Sequence, residues 1–346
     1  MSRPSRIAAV VLAVGCAAAL MVWVGRQRQN QRVAVEARIP SIMGTQTLLK
    51  AVVGAGDQER GRRAIQAAEA ALRDVDARMS TWVGSTELSK FNAAPANTAM
   101  PLSIPTLEVL AAAGRFAERT GGAFDPTCRP LLQLWKRCEQ EDREPTADEI
   151  ARTLARVGWR HIRLHDGAMA KLVDGVEVDL GGLAKGYAVD AAVQAMRSAG
   201  AAGGLVQCGG DLRVFGDSEN GGPWRIGIHD PSSTQSGMFA ERLRLADHAV
   251  STSGDYERYF TIRGRRRSHI IDPRTGLPVD SVPQVTVVAS EGIVSDGWST
   301  ALTVLGPEGL RLLPPGVEAM VIVTSAGQAR AHKTPGFDRL LADSVP

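Results

Sequence analysis

A carboxylate and a hydroxyl stand four residues apart near position 300, at Asp296 and Thr300. The surrounding sequence predicts a helix over residues 293–305, and residues four apart on a helix share one face. Such hard oxygen donors suit Mg²⁺, which keeps several waters and shares the phosphates of a substrate. A helix cap or a solvated helix face would carry the same residues, so this pair alone indicates only a candidate Mg²⁺ site.

A second candidate site is a glycine turn at residues 178–186, where a predicted strand passes into a predicted helix. Asp179 precedes the turn and Lys185 lies at the start of the helix. Such a turn exposes backbone N–H and C=O groups, and a helix N-terminus attracts phosphate. The spacing matches neither the dinucleotide fingerprint nor the P-loop. An ordinary tight connection between strand and helix is the alternative interpretation.

A third candidate is His269, which lies at the entry of a predicted strand that ends in the turn Pro273-Arg274-Thr275-Gly276. A histidine can act as acid or base near neutral pH, although a lone histidine more often has a structural role. A polar turn at residues 251–256 precedes it, and the arginines at 263 and 265–267 indicate a solvated hairpin tip or an anion-attracting one.

Composition describes a globular chain of 346 residues, with 44% hydrophobic and 22% charged residues. The net charge of +3 is too close to neutral for a nucleic-acid-binding surface, so we expect no nucleic acid partner. The four cysteines form no C-x-x-C pair. Cys128 and Cys138 could form a disulfide outside the cytoplasm, which their spacing alone does not establish.

The N-terminus has the form of an export signal or a single membrane anchor. Arg3 and Arg6 precede an apolar run over residues 7–24, and further arginines follow it. Cys16 after Gly15 also leaves lipoprotein processing open. We expect residues 1–38 to be this leader and a polar linker from residue 27, and residues 39–346 to be the folded domain. The expected location is the periplasmic side of the inner membrane, anchored or lipid-linked, or soluble in the periplasm.

Periodicity predicts helices at both ends of the domain and strands between them. The predicted helices cover residues 57–79, 105–119, 186–198 and 293–305, and a capping box at Thr146 and Glu149 opens another. The predicted strands cover residues 42–53, 161–165, 170–173, 176–180, 205–208, 212–215, 224–228, 285–289 and 320–324. A polar loop is predicted at residues 80–92, and a hairpin turn at Asp174-Gly175. This order favours an α+β fold in one continuous body.

The motifs occur in a fixed order that resembles the ApbE family of FAD-dependent flavin transferases, over about residues 40 to 335. The motifs are Met43-Gly44-Thr45, Met79-Ser80-Thr81-Trp82, Ser89-Lys90-Phe91-Asn92, Gly122-Ala123-Phe124-Asp125-Pro126-Thr127, residues 179–186, Gly209-Gly210-Asp211, Ser253-Gly254-Asp255-Tyr256, residues 269–276 and residues 296–300.

The resemblance implies one α+β body, with a mixed or antiparallel sheet and flanking helices, that binds FAD and needs Mg²⁺. By similarity, the FAD-contacting positions are Met43, Trp82, Ala123, Phe124, Asp125, Asp179, Lys185 and the backbone of Ile271. The metal ligands it implies are the carbonyl of Gly182 and the side chains of Asp296 and Thr300. His269 matches the histidine that is regarded as catalytically important in the family.

The implied reaction is transfer of FMN from FAD to a Ser or Thr hydroxyl of an acceptor protein, with release of AMP. We expect the acceptor to be an exported or membrane-bound redox protein. Two alternatives stay open: an accessory protein that binds FAD without transferring it, and a pyrophosphatase that uses water as acceptor. A serine hydrolase is disfavoured, because no G-x-S-x-G motif surrounds any serine.

Overall fold

The structure is a computed structural model that describes residues 31–229, 239–254, 259–325 and 328–342. The predicted leader segment over residues 1–30 lies outside these ranges, as do Asp255 and Tyr256. Among the described residues, no helix combines the length and the apolar character needed to cross a membrane.

The described residues contain fifteen strands, most of them in one large sheet. They are β1 Arg32–Ile42, β2 Thr45–Gly54, β3 Met100–Pro101, β4 Ile162–His165, β5 Ala168–Lys171, β6 Gly203–Cys208, β7 Asp211–Phe215, β8 Trp224–His229, β9 Phe239–Leu245, β10 Ala249–Gly254, β11 Tyr259–Ile262, β12 Arg265–Ser268, β13 Gln284–Ala289, β14 Glu318–Ser325 and β15 Gln328–Lys333. Eight of them form a sheet in the order β1-β2-β6-β7-β10-β13-β14-β15, and every pairing in it is antiparallel.

Seven α-helices lie in the same part of the chain. They are α1 Gln58–Met79, α2 Glu87–Ala93, α3 Ile104–Arg119, α4 Arg129–Gln140, α5 Ala147–Leu154, α6 Ala184–Ser198 and α7 Gly292–Leu305. The predicted helices at 57–79, 105–119, 186–198 and 293–305 are confirmed to within two residues, because each carries a buried stripe at helical spacing. The capping box that opens α5 is confirmed as well.

The large sheet is buried on both faces, which gives the body three layers. Helices α1, α6 and α7 pack on one face, where Val285, Val287 and Val321 join the main core. Alternate residues of the same strands, such as Val288 and Met320, point to the other face, where the hairpin β8–β9 covers them. This two-sided burial explains the near-continuous apolar sequence of the central strands. The α+β fold with an antiparallel sheet and flanking helices is thus confirmed.

The predicted linker is wrong in its second half, because residues from Arg32 onward form the edge strand β1, paired with β2. The strand predicted at 42–53 is confirmed as β2 from Thr45 onward, whereas Ile42 ends β1 and a turn at Met43 and Gly44, with φ of 52° and 72°, joins the two strands. An edge strand buries little of its length, so charged residues at Arg32, Glu36 and Arg38 hid its β pattern.

Two further local predictions are wrong, one for a loop and one for the position of a hairpin turn. The predicted loop at 80–92 contains the short helix α2, whose N-cap Thr86 accepts a hydrogen bond from the N–H of Ser89. The hairpin turn lies at Asp166-Gly167, between β4 and β5, and not at Asp174-Gly175. Both dipeptides suit such a turn, but only the first is flanked by strands that pair with each other. Residues 176–180 belong to no strand.

Cys128, Cys138 and Cys208 are free thiols, so the bridge considered between Cys128 and Cys138 does not form. Cys128 caps α4 and Cys138 lies near the end of that helix. Ten residues of α-helix separate two Cα atoms by about 15 Å, whereas a disulfide needs less than about 7 Å.

Candidate active site

The candidate metal ligand Asp296 is almost fully buried, where the helices α6 and α7 cross. Its side chain is 2% exposed, and its Oδ2 accepts a hydrogen bond of 2.9 Å from the N–H of Gly186. A Cβ added to Gly186 would lie 2.2 Å from the carbonyl oxygen of Gly292. The two helices therefore approach backbone to backbone, which only glycine permits. This close crossing brings the N-terminus of α6 to Asp296.

The glycine turn that precedes α6 contacts α7 at Thr300, one helical turn after Asp296. A Cβ on Gly182 would lie 2.9 Å from Thr300 Oγ1 and 3.1 Å from the ring of Phe124. Gly182, Thr300 and Phe124 are therefore neighbours in the fold, although more than 50 residues separate each from the next. Thr300 is partly exposed, unlike Asp296 one turn earlier.

Asp179 shapes the start of this turn. Its Oδ1 accepts a 2.7 Å hydrogen bond from the N–H of Gly181, and its Oδ2 accepts one of 3.0 Å from Thr81 Oγ1. An aspartate that accepts from the amide two residues on stabilises a tight turn. Asp179 thus connects the glycine turn to the loop that carries Trp82.

Lys185, Asp211 and Asp296 form a charged cluster beside the turn. Lys185 Nζ lies 2.7 Å from Asp211 Oδ2 and 3.6 Å from Asp296 Oδ2. Burial lowers the pKa of Lys185, but the carboxylates of Asp211 and Asp296 outweigh this effect and leave the pKa raised. Burial and the neighbouring Asp211 carboxylate raise the pKa of Asp296 to about 7. The lysine therefore stays charged and compensates one of two buried acids.

Sequence reasoning gave Asp211 no role, although it lies in the quoted motif Gly209-Gly210-Asp211. It is 3% exposed and is the first residue of β7. Its sequence signal was an acid that follows paired glycines at the end of a strand hairpin. Its partner Lys185 is 26 residues earlier in the chain, so only the tertiary fold shows the ion pair.

Two further sets of hydrogen bonds that the sequence did not indicate hold α7 in place. Asp190 of α6 accepts hydrogen bonds of 2.7 and 3.0 Å from the N–H groups of Gly292 and Ile293 at the start of α7. Such a carboxylate satisfies backbone donors that a helix start leaves unpaired. Hydroxyl pairs hold the helix to β10, with Ser251 and Ser295 joined at 2.8 Å, and Ser253 and Ser299 at 2.7 Å.

An aromatic chain connects α7 to the segment that contains Ala123, Phe124 and Asp125. The ring centroids of Phe124 and Phe116 are 5.5 Å apart, and those of Phe116 and Trp298 are 5.7 Å apart. Ala123 and Phe124 are 1% and 4% exposed. These rings belong to the core, so they hold the two segments at a fixed separation.

Asp125 borders a cavity of about 580 Å³ that is also lined by Gly122, Trp159, Pro273 and Arg274. Its Oδ1 accepts a 2.9 Å bond from the N–H of Thr127, and its Oδ2 accepts a 2.8 Å bond from the N–H of Trp159. Of the predicted FAD-contacting residues, this lining includes Asp125 alone, and none of the three predicted metal ligands is part of it. The cavity therefore does not enclose the charged cluster.

Met43 and Trp82 occupy two different turns. Met43 has a φ of 52°, and its N–H donates a 3.3 Å bond to Asp76 Oδ2 of α1. The Trp82 side chain is 78% exposed, with Lys136 Nζ 4.8 Å from its ring centroid. Trp82 is thus an aromatic surface open to solvent, next to the Thr81 hydroxyl that binds Asp179.

Ile271 and His269 belong to the segment that follows β12. The strand predicted there is wrong, because the segment forms only an isolated bridge between Ile271 and Pro278. Ile271 is 5% exposed and packs with Leu131 and Trp135 of α4. Trp135 Nε1 donates a 2.9 Å bond to the carbonyl of Gly276, which fixes the end of the segment. His269 is half-buried, one residue beyond β12. Its predicted catalytic role remains a prediction.

The predicted metal ligands suit Mg²⁺ by the chemistry of their donors. The set consists of one carboxylate, one hydroxyl and one backbone carbonyl, and all are hard oxygens. Gly182 and Thr300 are in contact through the close approach described above, and Asp296 lies one helical turn from Thr300. Over the described ranges, no group of three His, Cys, Asp or Glu side chains could hold a metal, so a site here would depend on this mixed donor set.

Fold and site together define an α+β protein in which the candidate oxygen donors Gly182, Asp296 and Thr300 lie beside a glycine turn and a helix N-terminus. Residues 43–321 match the ApbE family, and the chain belongs to that family.

Known members resemble the chain over most of its length. A Vibrio cholerae protein named FAD:protein FMN transferase is 37% identical over 240 residues, which are 68% of this chain and 72% of that protein. An Escherichia coli protein of the same name is 28% identical over 95% of this chain and 97% of its own. The apo crystal structure of Pseudomonas stutzeri flavinyl transferase ApbE has a TM-score of 0.78 and 33% identity, over 91% of this chain and 99% of that one.

Proposed function

We propose that this chain is an FAD:protein FMN transferase that requires Mg²⁺. The observation that carries the proposal is the convergence of Gly182, Thr300 and Asp296 beside Lys185, on a chain that belongs to the ApbE family. The names of its relatives support the activity, and the oxygen donors of the site support the choice of metal.

In the proposed reaction, the acceptor's hydroxyl oxygen forms a bond to the phosphorus of the FMN half of FAD. The bond from that phosphorus to the bridging oxygen breaks, AMP leaves with the bridging oxygen, and the hydroxyl proton passes to a base. His269 is the proposed base, because a serine or threonine hydroxyl is a weak nucleophile without one. The products are AMP and a protein that carries FMN through a phosphoester.

The charged cluster prepares the site for the pyrophosphate. Asp296, Thr300 and the Gly182 carbonyl would hold Mg²⁺, which when bound supplies positive charge to the phosphate oxygens. Lys185 contributes a second positive charge, already fixed by Asp211 at 2.7 Å. The N-terminus of α6 adds the positive end of its helix dipole, while its Ala184 and Gly186 N–H groups already bond to the Leu180 carbonyl and to Asp296. Because these groups are set in place by the fold, they need little reorganisation during the reaction.

The proposed acceptor is an exported or membrane-bound redox protein, and the proposed location is the periplasmic face of the inner membrane. Both proposals are supported by the apolar run at residues 7–24 with its flanking arginines. A flavin attached by a covalent bond would stay with its protein outside the cytoplasm, where a dissociable one would be lost.

The test is to incubate the purified full-length chain with FAD, MgCl₂ and a flavin-free candidate acceptor. Transfer predicts in-gel flavin fluorescence on the acceptor, a mass gain of one FMN less one water, and one AMP per flavin attached. An acceptor in which the target hydroxyl residue is replaced by alanine is the matched control.

The other outcomes separate the alternatives. Free FMN and AMP in equal amounts, with unmodified acceptor, would identify a pyrophosphatase. FAD that binds but stays intact would identify an accessory flavin-binding protein, and either outcome would reject the transferase.

A further inference from the structure

The segment at residues 176–180 has the alternation of a strand but no strand beside it. Val176, Val178 and Leu180 are buried at 1% exposure or less, while Glu177 and Asp179 between them are partly exposed. A buried backbone needs hydrogen-bond partners, and in this segment they come from elsewhere than a sheet. The segment leads directly into the glycine turn, so whatever holds it also sets the position of Asp179 and Gly182.

The side chain of Asn92 takes the place of a neighbouring strand. Its Nδ2 donates a 2.8 Å hydrogen bond to the carbonyl of Val178, and its Oδ1 accepts one of 2.8 Å from the N–H of Val178. One amide group thus satisfies both polar groups of one buried residue, in the manner of a paired strand. Val178 is the residue directly before Asp179.

Lys171 extends the same support. Its side chain is 2% exposed, and Nζ donates to the carbonyls of Asn92 at 2.7 Å and Val176 at 3.1 Å. The ammonium also lies 5.6 Å from the ring centroid of Phe91. A buried lysine that contacts carbonyls and an aromatic ring is costly to fold, which favours a positioning role over a purely stabilising one.

We infer that Asn92 and Lys171 are positioning residues for the reaction, which set Asp179 and the glycine turn at the distance that FAD and the cation require. The inference rests on the proposed function. Each side chain bonds to the backbone of Val176 or Val178 and acts on the turn through that backbone. The Asn92 brace, meaning Asn92 and Lys171 together, is thus distinct from the charged cluster on the other side of the turn.

Two variants of the full-length chain test the brace. Asn92→Asp keeps the shape of the side chain but replaces its donor with a second acceptor opposite the Val178 carbonyl. Lys171→Met keeps the packing and removes both donated bonds. Because Lys171→Met also removes a buried charge, we expect its thermal midpoint to stay near that of the wild type. Asn97→Asp is the matched control, since Asn97 is an exposed asparagine in the following loop.

The readouts are equilibrium FAD affinity, the Mg²⁺ concentration for half-maximal transfer, and amide hydrogen exchange over residues 176–182. We expect each brace variant to weaken FAD binding about tenfold, to raise the Mg²⁺ requirement and to speed exchange across the segment. KM for FAD should rise more than kcat falls. The control should match the wild type in all three.

Wild-type FAD affinity and wild-type exchange in both brace variants would overturn the inference. If Asn92→Asp fails to fold, Lys171→Met decides alone. If the wild type binds FAD but transfers no FMN to any acceptor, the proposed function fails, while FAD affinity and exchange still decide whether the brace positions the binding site.

Discussion

The charged cluster and the Trp82 loop differ most in their access to water. Asp296 is 2% exposed, whereas the Trp82 side chain is 78% exposed. The charges of the cluster are held by one another and by the backbone before any ligand arrives, whereas the Trp82 ring contacts Lys136 and is otherwise open to solvent. We therefore expect the buried charged cluster to determine the rate of FMN transfer, and the exposed Trp82 ring to contribute to the affinity for FAD.

The largest expected effect is that of Asp296→Ala. Loss of the buried carboxylate removes a proposed metal ligand and leaves Lys185 with Asp211 alone, so we expect transfer to fall roughly a hundredfold or more. Added Mg²⁺ should not restore it. The measurement is the initial rate of acceptor flavinylation against Mg²⁺ concentration.

Asp338→Ala is the control for this variant, because Asp338 is an exposed acid that pairs with Lys333 at 3.1 Å. Full metal-dependent activity in Asp296→Ala would show that the ligand assignment is wrong.

The next effect in size is that of His269→Ala. Removal of a general base slows chemistry by roughly a hundredfold, and FAD affinity should stay nearly constant because the proposed role is proton transfer. Single-turnover kinetics beside FAD titration separate the two quantities. His165→Ala, an exposed histidine at the β4–β5 hairpin, should behave as wild type. Equal losses in rate and affinity would instead assign His269 to binding.

A smaller effect is expected for Gly182→Ala. The new Cβ would lie 2.9 Å from Thr300 Oγ1, so the turn must shift away from α7. We expect the Mg²⁺ requirement to rise about tenfold, or about 1.4 kcal/mol, within the range for overpacking. Gly56→Ala is the control, because a Cβ there meets no atom within 4 Å. An unchanged Mg²⁺ requirement would remove Gly182 from the ligand set.

The smallest effect should come from Trp82→Ala. Loss of an exposed ring that stacks on a ligand removes about 1 kcal/mol, so FAD affinity should fall roughly fivefold. The thermal midpoint and kcat should stay unchanged, and Trp82→Phe should retain most of the affinity. If kcat falls more than the affinity for FAD, Trp82 contributes to catalysis, which contradicts its expected role in binding alone.

The helices and most central strands could be predicted because their signals are local. A buried stripe such as Ala64, Ala68 and Leu72 on α1 repeats at helical spacing whatever the rest of the fold does. The candidate pair Asp296 and Thr300, and the glycine turn with Lys185, could be proposed for the same reason, whereas the ligand role of Gly182 rests on the resemblance to the ApbE family.

Long-range pairing is what the sequence could not supply. Residues 176–180 have the pattern of a strand, but their partners are Asn92 and Lys171 and not another strand. Asp211 and Asp190 look like ordinary loop and helix acids until the fold brings them to Lys185 and to the start of α7. Periodicity reports burial of a residue and carries no information on which distant group satisfies it.

We propose that a divalent ion lies between α7 and the glycine turn, against the pyrophosphate of FAD. The most direct measurement is a crystal structure of the full-length chain with FAD and Mn²⁺, using anomalous scattering to locate the metal. We predict one metal peak in contact with Asp296, Thr300, the Gly182 carbonyl and a phosphate oxygen. A metal bound elsewhere, or FAD bound with its phosphates away from Lys185, would contradict the account.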